Sequence, residues 1–201
     1  DETERVSAVG GTWQVVAQGV APITVPTDAK LELVNPGGLR WQVKRRDGAV
    51  LSWGPLSGPL VVRPTSPDTR IVLDYRPSGD VPGRPNTYFD TYRGEIILYP
   101  TGQGIETVNR IGIEDYLRGV VPEESPATWP DAALQAQALA ARSYAVFRAQ
   151  TRAKQAWDVD DSTWDQVYRG WWAEHPNTNR AIDATAGQLV MSCLLYTSPS
   201  P

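Results

Sequence analysis

The chain has 201 residues, of which 41% are hydrophobic, and this is enough to bury a core in one ordinary domain or two small ones. Its formal net charge is -4 and its pI is about 5.1, which argues against nucleic acid as a partner, because phosphate backbones are bound by clustered Lys and Arg. The longest apolar runs, such as Ile96 to Tyr99, are far shorter than the roughly 20 residues of a membrane helix, so no membrane span is predicted.

Short apolar stretches interrupted by Pro and Gly extend from Thr12 to about Leu98 and predict β-strands. These stretches are TWQVVA, KLELV, LRWQVKR, PLVVR, RIVLDY and YRGEIILY. From Leu39 to Lys44, apolar and polar residues alternate, which is typical of a strand with one buried face. The passage PSGDVPGRPN, residues 77–86, has the composition of an exposed loop. We therefore predict a β-rich N-terminal domain over residues 1–85.

The pattern changes after Asn109, where apolar residues recur at the helical spacing i, i+3, i+4, i+7 and i+8 and predict a short helix from Ile113 to Val121. A second helix is predicted from Pro130 to about Gln150, because proline suits a first helical turn and an acidic residue follows it. A third is predicted over residues 177–186. The predicted fold class is α+β, with a mainly helical second domain over residues 86–191.

Residues 192–201 fit neither pattern. The run CLLYTSPSP from Cys193 resembles a translated sequencing-adaptor read-through, so we expect an artefactual tail and a natural protein that continues differently after about Met191. Cys193 is the single cysteine and His175 the single histidine, which excludes an internal disulfide and gives little support to a catalytic triad or an ordinary zinc site. No charged-then-apolar leader follows Asp1, and this does not exclude export.

Glu123 and Glu124 are the candidates for chemistry. They lie between the first two predicted helices, and Pro122 and Pro126 on either side predict a stiff loop. A carboxylate fixed there, near Trp129, could be partly desolvated, which would favour its protonated form and let it act as a glycosidase acid does. Composition alone favours the alternative that both glutamates are solvated loop residues.

Further polar and aromatic residues carry two interpretations each. On the alanine-rich second helix, Gln137 and Tyr144 share a face and could contact a ligand or form buried structural hydrogen bonds, while Arg142 lies on another face. Four acidic residues could surround a hard cation, but they lack the EF-hand pattern, and solvated loop acids are the favoured interpretation. They are Asp158, Asp160, Asp161 and Asp165. Among the eight tryptophans, those near Tyr168 could stack on sugar rings, although filling a core is the default expectation.

Several motifs in order resemble the SpoIID/LytB domain of bacterial cell-wall proteins. The segment VNRIGIEDYLRGVVPEESPATWP is similar to V-N-x-L-x-L-E-x-Y-L-x-G-V-V-x-x-E-M-P of that family, ALQAQALAARSYA to A-L-K-A-Q-A-x-A-A-R-T-Y-A, and DQVYRG to C-Q-V-Y-x-G. YRGEIILY looks like its opening strand, and a later A-x-x-x-T-x-G is present at residues 181–187. The resemblance covers about Tyr92 to Val190.

The resemblance implies a peptidoglycan lytic transglycosylase of the cell wall, active in sporulation or wall remodelling outside the cytoplasm. It places the family's catalytic glutamate on Glu124, with Glu123 at a variable position and Ser125 replacing the usual Met. Residues of the matching motifs are the expected substrate-binding set: Gln137, Arg142, Tyr144, Gln166 and Tyr168.

The same resemblance bears on cofactors and partners. Some members bind zinc through two cysteines flanking D-T-T-H, but those positions are Asp160 and Asp165 here and the histidine is Trp164, so we predict neither metal nor cofactor. Expected partners are glycan strands and, because LytB-type relatives enhance a separate amidase, a cell-wall amidase. The alternative function is therefore a non-catalytic wall-binding module that modulates that amidase.

Overall fold

A computed structural model describes residues 2–35, 40–45, 56–73, 90–101, 104–152 and 154–191. The chain divides into two compact units, Asp1–Ile111 and Gly112–Pro201. The predicted loop over residues 77–86, the domain boundary placed at its end and the predicted tail from 192 all lie outside the described residues, so these three remain predictions. No helix among the described residues is long and apolar enough to cross a bilayer.

The first unit consists of antiparallel β-strands. Their bounds are β1 Glu2–Val9, β2 Trp13–Val16, β3 Ile23–Val25, β4 Leu31–Asn35, β5 Arg40–Arg45, β6 Leu56–Ser57, β7 Leu60–Pro64, β8 Arg70–Leu73, β9 Thr91–Tyr92, β10 Glu95–Thr101 and β11 Gly104–Arg110. Within the described residues they form a six-stranded sheet, in the order β6-β5-β4-β1-β8-β9, and a five-stranded sheet, in the order β11-β10-β7-β2-β3.

Alternation explains why these segments are strands. On β5, Trp41 and Val43 are fully buried while Gln42 between them is exposed, which confirms the predicted half-buried strand. The indole N–H groups of the two buried tryptophans each have a hydrogen-bond acceptor. Trp13 Nε1 donates to the Pro26 carbonyl at 3.2 Å, and Trp41 Nε1 donates to the Gly58 carbonyl at 2.8 Å. A buried indole N–H without a partner would be costly.

The second unit is helical. It contains α1 over Ile113–Glu124, α2 over Asp131–Thr151, a short 3₁₀ helix over Gly170–Ala173 and α3 over Pro176–Ala184. α3 begins where the sequence favours it, because Pro176 occupies the first turn and Nδ1 of His175 accepts a hydrogen bond from the Asn177 N–H. The predicted α+β fold class, with a β-rich first part and a helical second part, is confirmed.

α1 extends three residues beyond its predicted end. Pro122 lies inside the helix, so the expectation of a stiff loop carrying Glu123 and Glu124 is wrong. Proline costs α1 one backbone hydrogen bond near its end, but Val120, Val121 and Pro122 are all buried. Packing of these side chains therefore outweighs the local preference of proline, and the helix carries the glutamates into a defined position.

Candidate functional site

Glu124 is the last residue of α1, and its side chain is exposed to solvent. Oε1 of its carboxylate accepts a hydrogen bond from the Val167 backbone N–H at 3.2 Å. This exposure differs from the expectation of a partly desolvated carboxyl. The site therefore presents an oriented carboxylate that a bound molecule can reach.

The segment that supplies this N–H is packed tightly against α1. A Cβ atom added to Gly119 would lie 2.6 Å from Cε2 of Tyr168, so only glycine lets the Tyr168 ring approach the helix this closely. The Arg169 N–H also donates to the Gly119 carbonyl, at 3.2 Å. Tyr168, expected to bind substrate, is only 8% exposed, and its visible role is to hold this segment on α1.

Gln166 connects the same segment to two helices. Its Oε1 accepts a hydrogen bond from the Tyr116 hydroxyl of α1 at 3.1 Å, and its Nε2 donates to the Ala141 carbonyl of α2 at 3.3 Å. The side chain is 6% exposed, so both ends of the amide are used inside the protein. A substrate contact by Gln166 remains a prediction, and the described contacts are structural.

Asp165, directly before this segment, is the centre of a buried charge cluster. Its side chain is 2% exposed, and its carboxylate oxygens form ion pairs with the guanidinium groups of Arg148 at 2.9 Å and Arg152 at 2.5 Å. The Tyr144 hydroxyl and the Asp160 N–H also donate to it, at 2.7 and 2.8 Å. The interpretation of Asp165 as a solvated loop acid is therefore wrong.

The cluster fixes the ionisation of its members. Burial acts to raise the pKa of Asp165, but hydrogen bonds from Tyr144, the Asp160 N–H and Arg152, together with the Arg152 charge, lower it below its ordinary value. The pKa of Tyr144 is raised, first because its hydroxyl donates to Asp165 and then through burial. At neutral pH the cluster thus pairs an ionised carboxylate with a neutral phenol and cationic guanidiniums.

A zinc ion does not fit at the positions where the resemblance places cysteines. The Asp165 carboxylate is occupied by two guanidinium groups, which a cation would have to displace, and Trp164, at the histidine position, is 88% exposed and offers no ligand. Among the residues that the structure describes, no group of three or more His, Cys, Asp or Glu side chains is arranged to hold a metal ion.

Arg142, another expected substrate-binding residue, is 1% exposed. Its Nε and Nη2 atoms donate to the two carboxylate oxygens of Glu114, at 3.0 and 2.7 Å, and Nη1 donates to the Gln188 carbonyl at 3.2 Å. Burial acts to raise the pKa of Glu114, but hydrogen bonds from Arg142 and the Gly187 N–H lower it. These contacts tie α1 and α2 to the turn that follows α3, so the structure explains Arg142 without a ligand.

The remaining expected residues are more accessible. Gln137 and Tyr144 are partly exposed on α2, and the structure assigns Tyr144 to the Asp165 cluster but gives Gln137 no role. Tryptophans of this unit do not follow the default expectation of a core position, because Trp129 is 49%, Trp164 88% and Trp172 51% exposed. The helical unit therefore carries aromatic surface that is open to a ligand.

Two groups near Glu124 were not singled out from the sequence, the Val167 N–H and the Tyr116 hydroxyl. A backbone donor has no sequence signal. Tyr116 has one, since it is the tyrosine of the Y-L-x-G run, although its spacing also fits the apolar positions of the predicted helix. The family model described as SpoIID, stage II sporulation protein, matches residues 101–192, the range that contains every residue of this site.

This part of the chain belongs to the SpoIID family. The SpoIID match begins within β10 and so extends beyond the helical unit into the last strands of the first. It confirms the resemblance drawn from the motifs around Glu124, Ala141 and Gln166.

Curated relatives match the same region. The chain is 38% identical over 101 residues to an uncharacterized protein of Brachyspira hyodysenteriae, covering 50% of this chain and 27% of that protein. It is 43% identical over 74 residues to the amidase enhancer of Bacillus subtilis, covering 37% of this chain and 10% of the enhancer. It is 41% identical over 78 residues to stage II sporulation protein D of Bacillus subtilis, covering 37% of this chain and 22% of that protein. The matched stretches thus span less than a third of each relative, and no solved structure matches the chain.

Proposed function

We propose that the SpoIID domain of this chain is a lytic transglycosylase that acts on peptidoglycan outside the cytoplasm, with Glu124 as its acid and base. The observation that carries the proposal is the Glu124 carboxylate, which is exposed and oriented by the Val167 N–H at 3.2 Å. Its position in the motif resemblance, with Gly119, Val120, Val121 and Pro126 in register, supports the choice of Glu124 over Glu123.

The proposed reaction needs one carboxyl group. Protonated Glu124 donates its proton to the oxygen between N-acetylmuramic acid and N-acetylglucosamine as the bond from that oxygen to the anomeric carbon breaks. The resulting carboxylate takes the proton of the muramoyl 6-hydroxyl, whose oxygen bonds to the same anomeric carbon. The products are a 1,6-anhydromuramoyl end and a free 4-hydroxyl. Since no water is activated, no second carboxylate is needed, unlike in most glycoside hydrolases.

Exposure of Glu124 in the free protein is compatible with an acid role. A glycan strand lying over the carboxylate would remove water from it, and desolvation favours the protonated form of a carboxyl group. Substrate binding would therefore favour the protonated carboxyl that the proposed reaction needs.

Exposed tryptophans support a carbohydrate as the ligand. Indole faces stack on the apolar C–H surfaces of sugar rings, and Trp164, which lies three residues before Val167, is 88% exposed. Its backbone is held in place, because the Trp164 N–H donates to Oγ of Ser162 at 3.3 Å and the next residue belongs to the Asp165 cluster. An exposed indole on an anchored backbone, close in sequence to the anchor of Glu124, is suited to a sugar-binding position.

A second function is favoured by one observation, the 43% identity to a protein named amidase enhancer. In that case the domain binds the wall and raises the activity of a separate amidase without cleaving glycan. The two functions are separated by incubating the purified chain with amidase-treated, peptide-free glycan strands. A transglycosylase releases fragments with 1,6-anhydromuramoyl ends, detected by mass spectrometry. Fragments with free reducing ends, or intact strands together with stimulation of an added amidase, would contradict the proposal.

A further inference from the structure

We propose that Tyr116 and Gln166 are positioning residues of this site: through their mutual hydrogen bond they fix the Val167 N–H that orients the Glu124 carboxylate. The inference rests on the proposed function of Glu124 for its kinetic consequence, while the positioning itself is a property of the unliganded protein. Neither residue needs to touch a substrate for this role.

The position of the Val167 N–H depends on its two neighbours. Gln166 is anchored to α1 by Tyr116 at 3.1 Å and to α2 by the Ala141 carbonyl at 3.3 Å. On the other side, Tyr168 is packed against Gly119. With both neighbours fixed, the intervening peptide has little freedom to move, so its N–H stays directed at Oε1 of Glu124, 3.2 Å away.

Tyr116 is suited to hold this arrangement at all working pH values. Its ring lies 5.2 Å from that of Tyr168, tilted by 32°, so one side chain contacts both residues that flank Val167. Burial, followed by the negative charges of Asp165 and Glu124, raises the pKa of Tyr116. The phenol therefore remains a hydrogen-bond donor to Gln166, and the charge of Glu124 lies close enough to act on it.

Removing the Tyr116 hydroxyl would leave Oε1 of Gln166 as a buried acceptor without its partner, and an unpaired buried group tends to move toward water. The Val167 peptide would move with it, and Glu124 would lose its fixed orientation. Misplacing a catalytic group by about 1 Å can cost on the order of 10²-fold in rate. Positioning thus predicts a loss in kcat with little change in KM, because the exposed Trp164 indole that is proposed to bind the sugar is unchanged.

The first test measures positioning without any reaction. In ¹⁵N-labelled wild-type chain, the Val167 amide shift should change with pH as Glu124 ionises, and Glu124→Gln should abolish that change. Tyr116→Phe, which keeps the ring contact with Tyr168, and Gln166→Leu should each reduce the amplitude at least two-fold. An unchanged amplitude in both variants overturns the proposal, whether or not the chain cleaves glycan.

The second test is kinetic. Tyr116→Phe should lower kcat for glycan cleavage about ten-fold or more with KM within two-fold of wild type. Thr178→Val is the matched control, because it also deletes one buried hydroxyl, which donates to the His175 carbonyl at 2.9 Å and takes no part in the hydrogen bonds of Gln166 or Val167. A kcat loss of equal size in both variants would mean that lost stability is the cause and would overturn the proposal. If no cleavage occurs even in wild type, the function proposed for Glu124 fails, while the amide titration still decides the positioning.

Discussion

Replacing Asp165 with Asn tests whether the charge cluster stabilises the segment that precedes Val167. The substitution keeps the shape of the side chain but leaves Arg148 and Arg152 without their counter-ion. Removing one partner of a buried ion pair costs about 3–5 kcal/mol. Here the two arginines are 24% and 23% exposed and can regain water, so we expect the lower end, about 3 kcal/mol. Urea unfolding followed by the helical far-UV CD signal measures this loss.

The pH dependence of that loss follows from the sign of the shift. The pKa of Asp165 is lower in the folded protein than its unfolded value of about 3.9. The ionised carboxylate therefore contributes fully to stability above the unfolded pKa, and this contribution is lost as the pH falls through the folded pKa. The difference between wild type and variant should therefore be constant from neutral pH to about pH 5 and shrink in more acidic solution.

Asp183→Asn is the matched control for this experiment. It removes a carboxylate that binds Arg118 at 2.7 Å but is 59% exposed, and exposed pairs contribute about 0–1 kcal/mol. If the Asp165 and Asp183 variants lose the same stability, or if the Asp165 effect persists undiminished in strong acid, the reasoning about a buried charge cluster is wrong.

Two further substitutions test packing and ligand contact. Gly119→Ala should destabilise the helical unit by about 1–3 kcal/mol in urea unfolding, because its new methyl group would overlap the Tyr168 ring. When Gly119→Ala is combined with Tyr168→Leu, the loss of stability should be smaller than the sum of the two single losses. Strictly additive losses would refute the close contact. Trp164→Ala should change the free energy of unfolding by less than about 0.5 kcal/mol, since the indole is exposed. The same variant should co-sediment several-fold less with insoluble peptidoglycan, whereas Trp164→Phe should co-sediment as the wild type does. Equal sedimentation of both Trp164 variants and wild type would exclude this indole as a sugar-binding surface.

Strands and helices were predictable wherever the burial pattern is regular. β5 shows clear alternation, and the start of α2 follows from Pro130 and Asp131. β11 could not be recognised in this way, because none of its residues is buried. Among the residues that the structure describes, β10 is its one strand partner, so β11 lies at the sheet edge. β1, which lies inside its sheet, was missed because charged residues occupy its first half.

Local rules failed where long-range packing decides. The rule that proline ends helices predicted a loop before Pro126, but burial of Val120 and Val121 keeps the chain helical through Glu124. Asp165 looked like a solvated acid because its partners are distant in sequence. A signal did exist, since Arg148 and Arg152 are four residues apart at the end of α2 and so project from one face. Which carboxylate they bind could not be read from that spacing.

The choice of Glu124 over Glu123 rests on motif register and stays a prediction. Composition alone does not distinguish the two glutamates as candidates for catalysis. In the structure, Glu124 is exposed and bound to the Val167 N–H, whereas Glu123 is partly buried. The anchor comes from a backbone group 43 residues away, which sequence patterns do not encode.

The most direct test of the central claim is glycan cleavage by Glu124→Gln beside Glu123→Gln. Both changes remove one carboxylate from the same turn of α1 and preserve its volume, so they should leave similar amounts of folded protein by CD. With purified glycan strands, the Glu124 variant should release fewer than about one hundredth of the wild-type 1,6-anhydromuramoyl ends, since acid–base catalysis contributes about 10²–10⁴-fold to the rate. The Glu123 variant should release these ends at a rate within about two-fold of wild type. Unchanged release by the Glu124 variant would contradict the account.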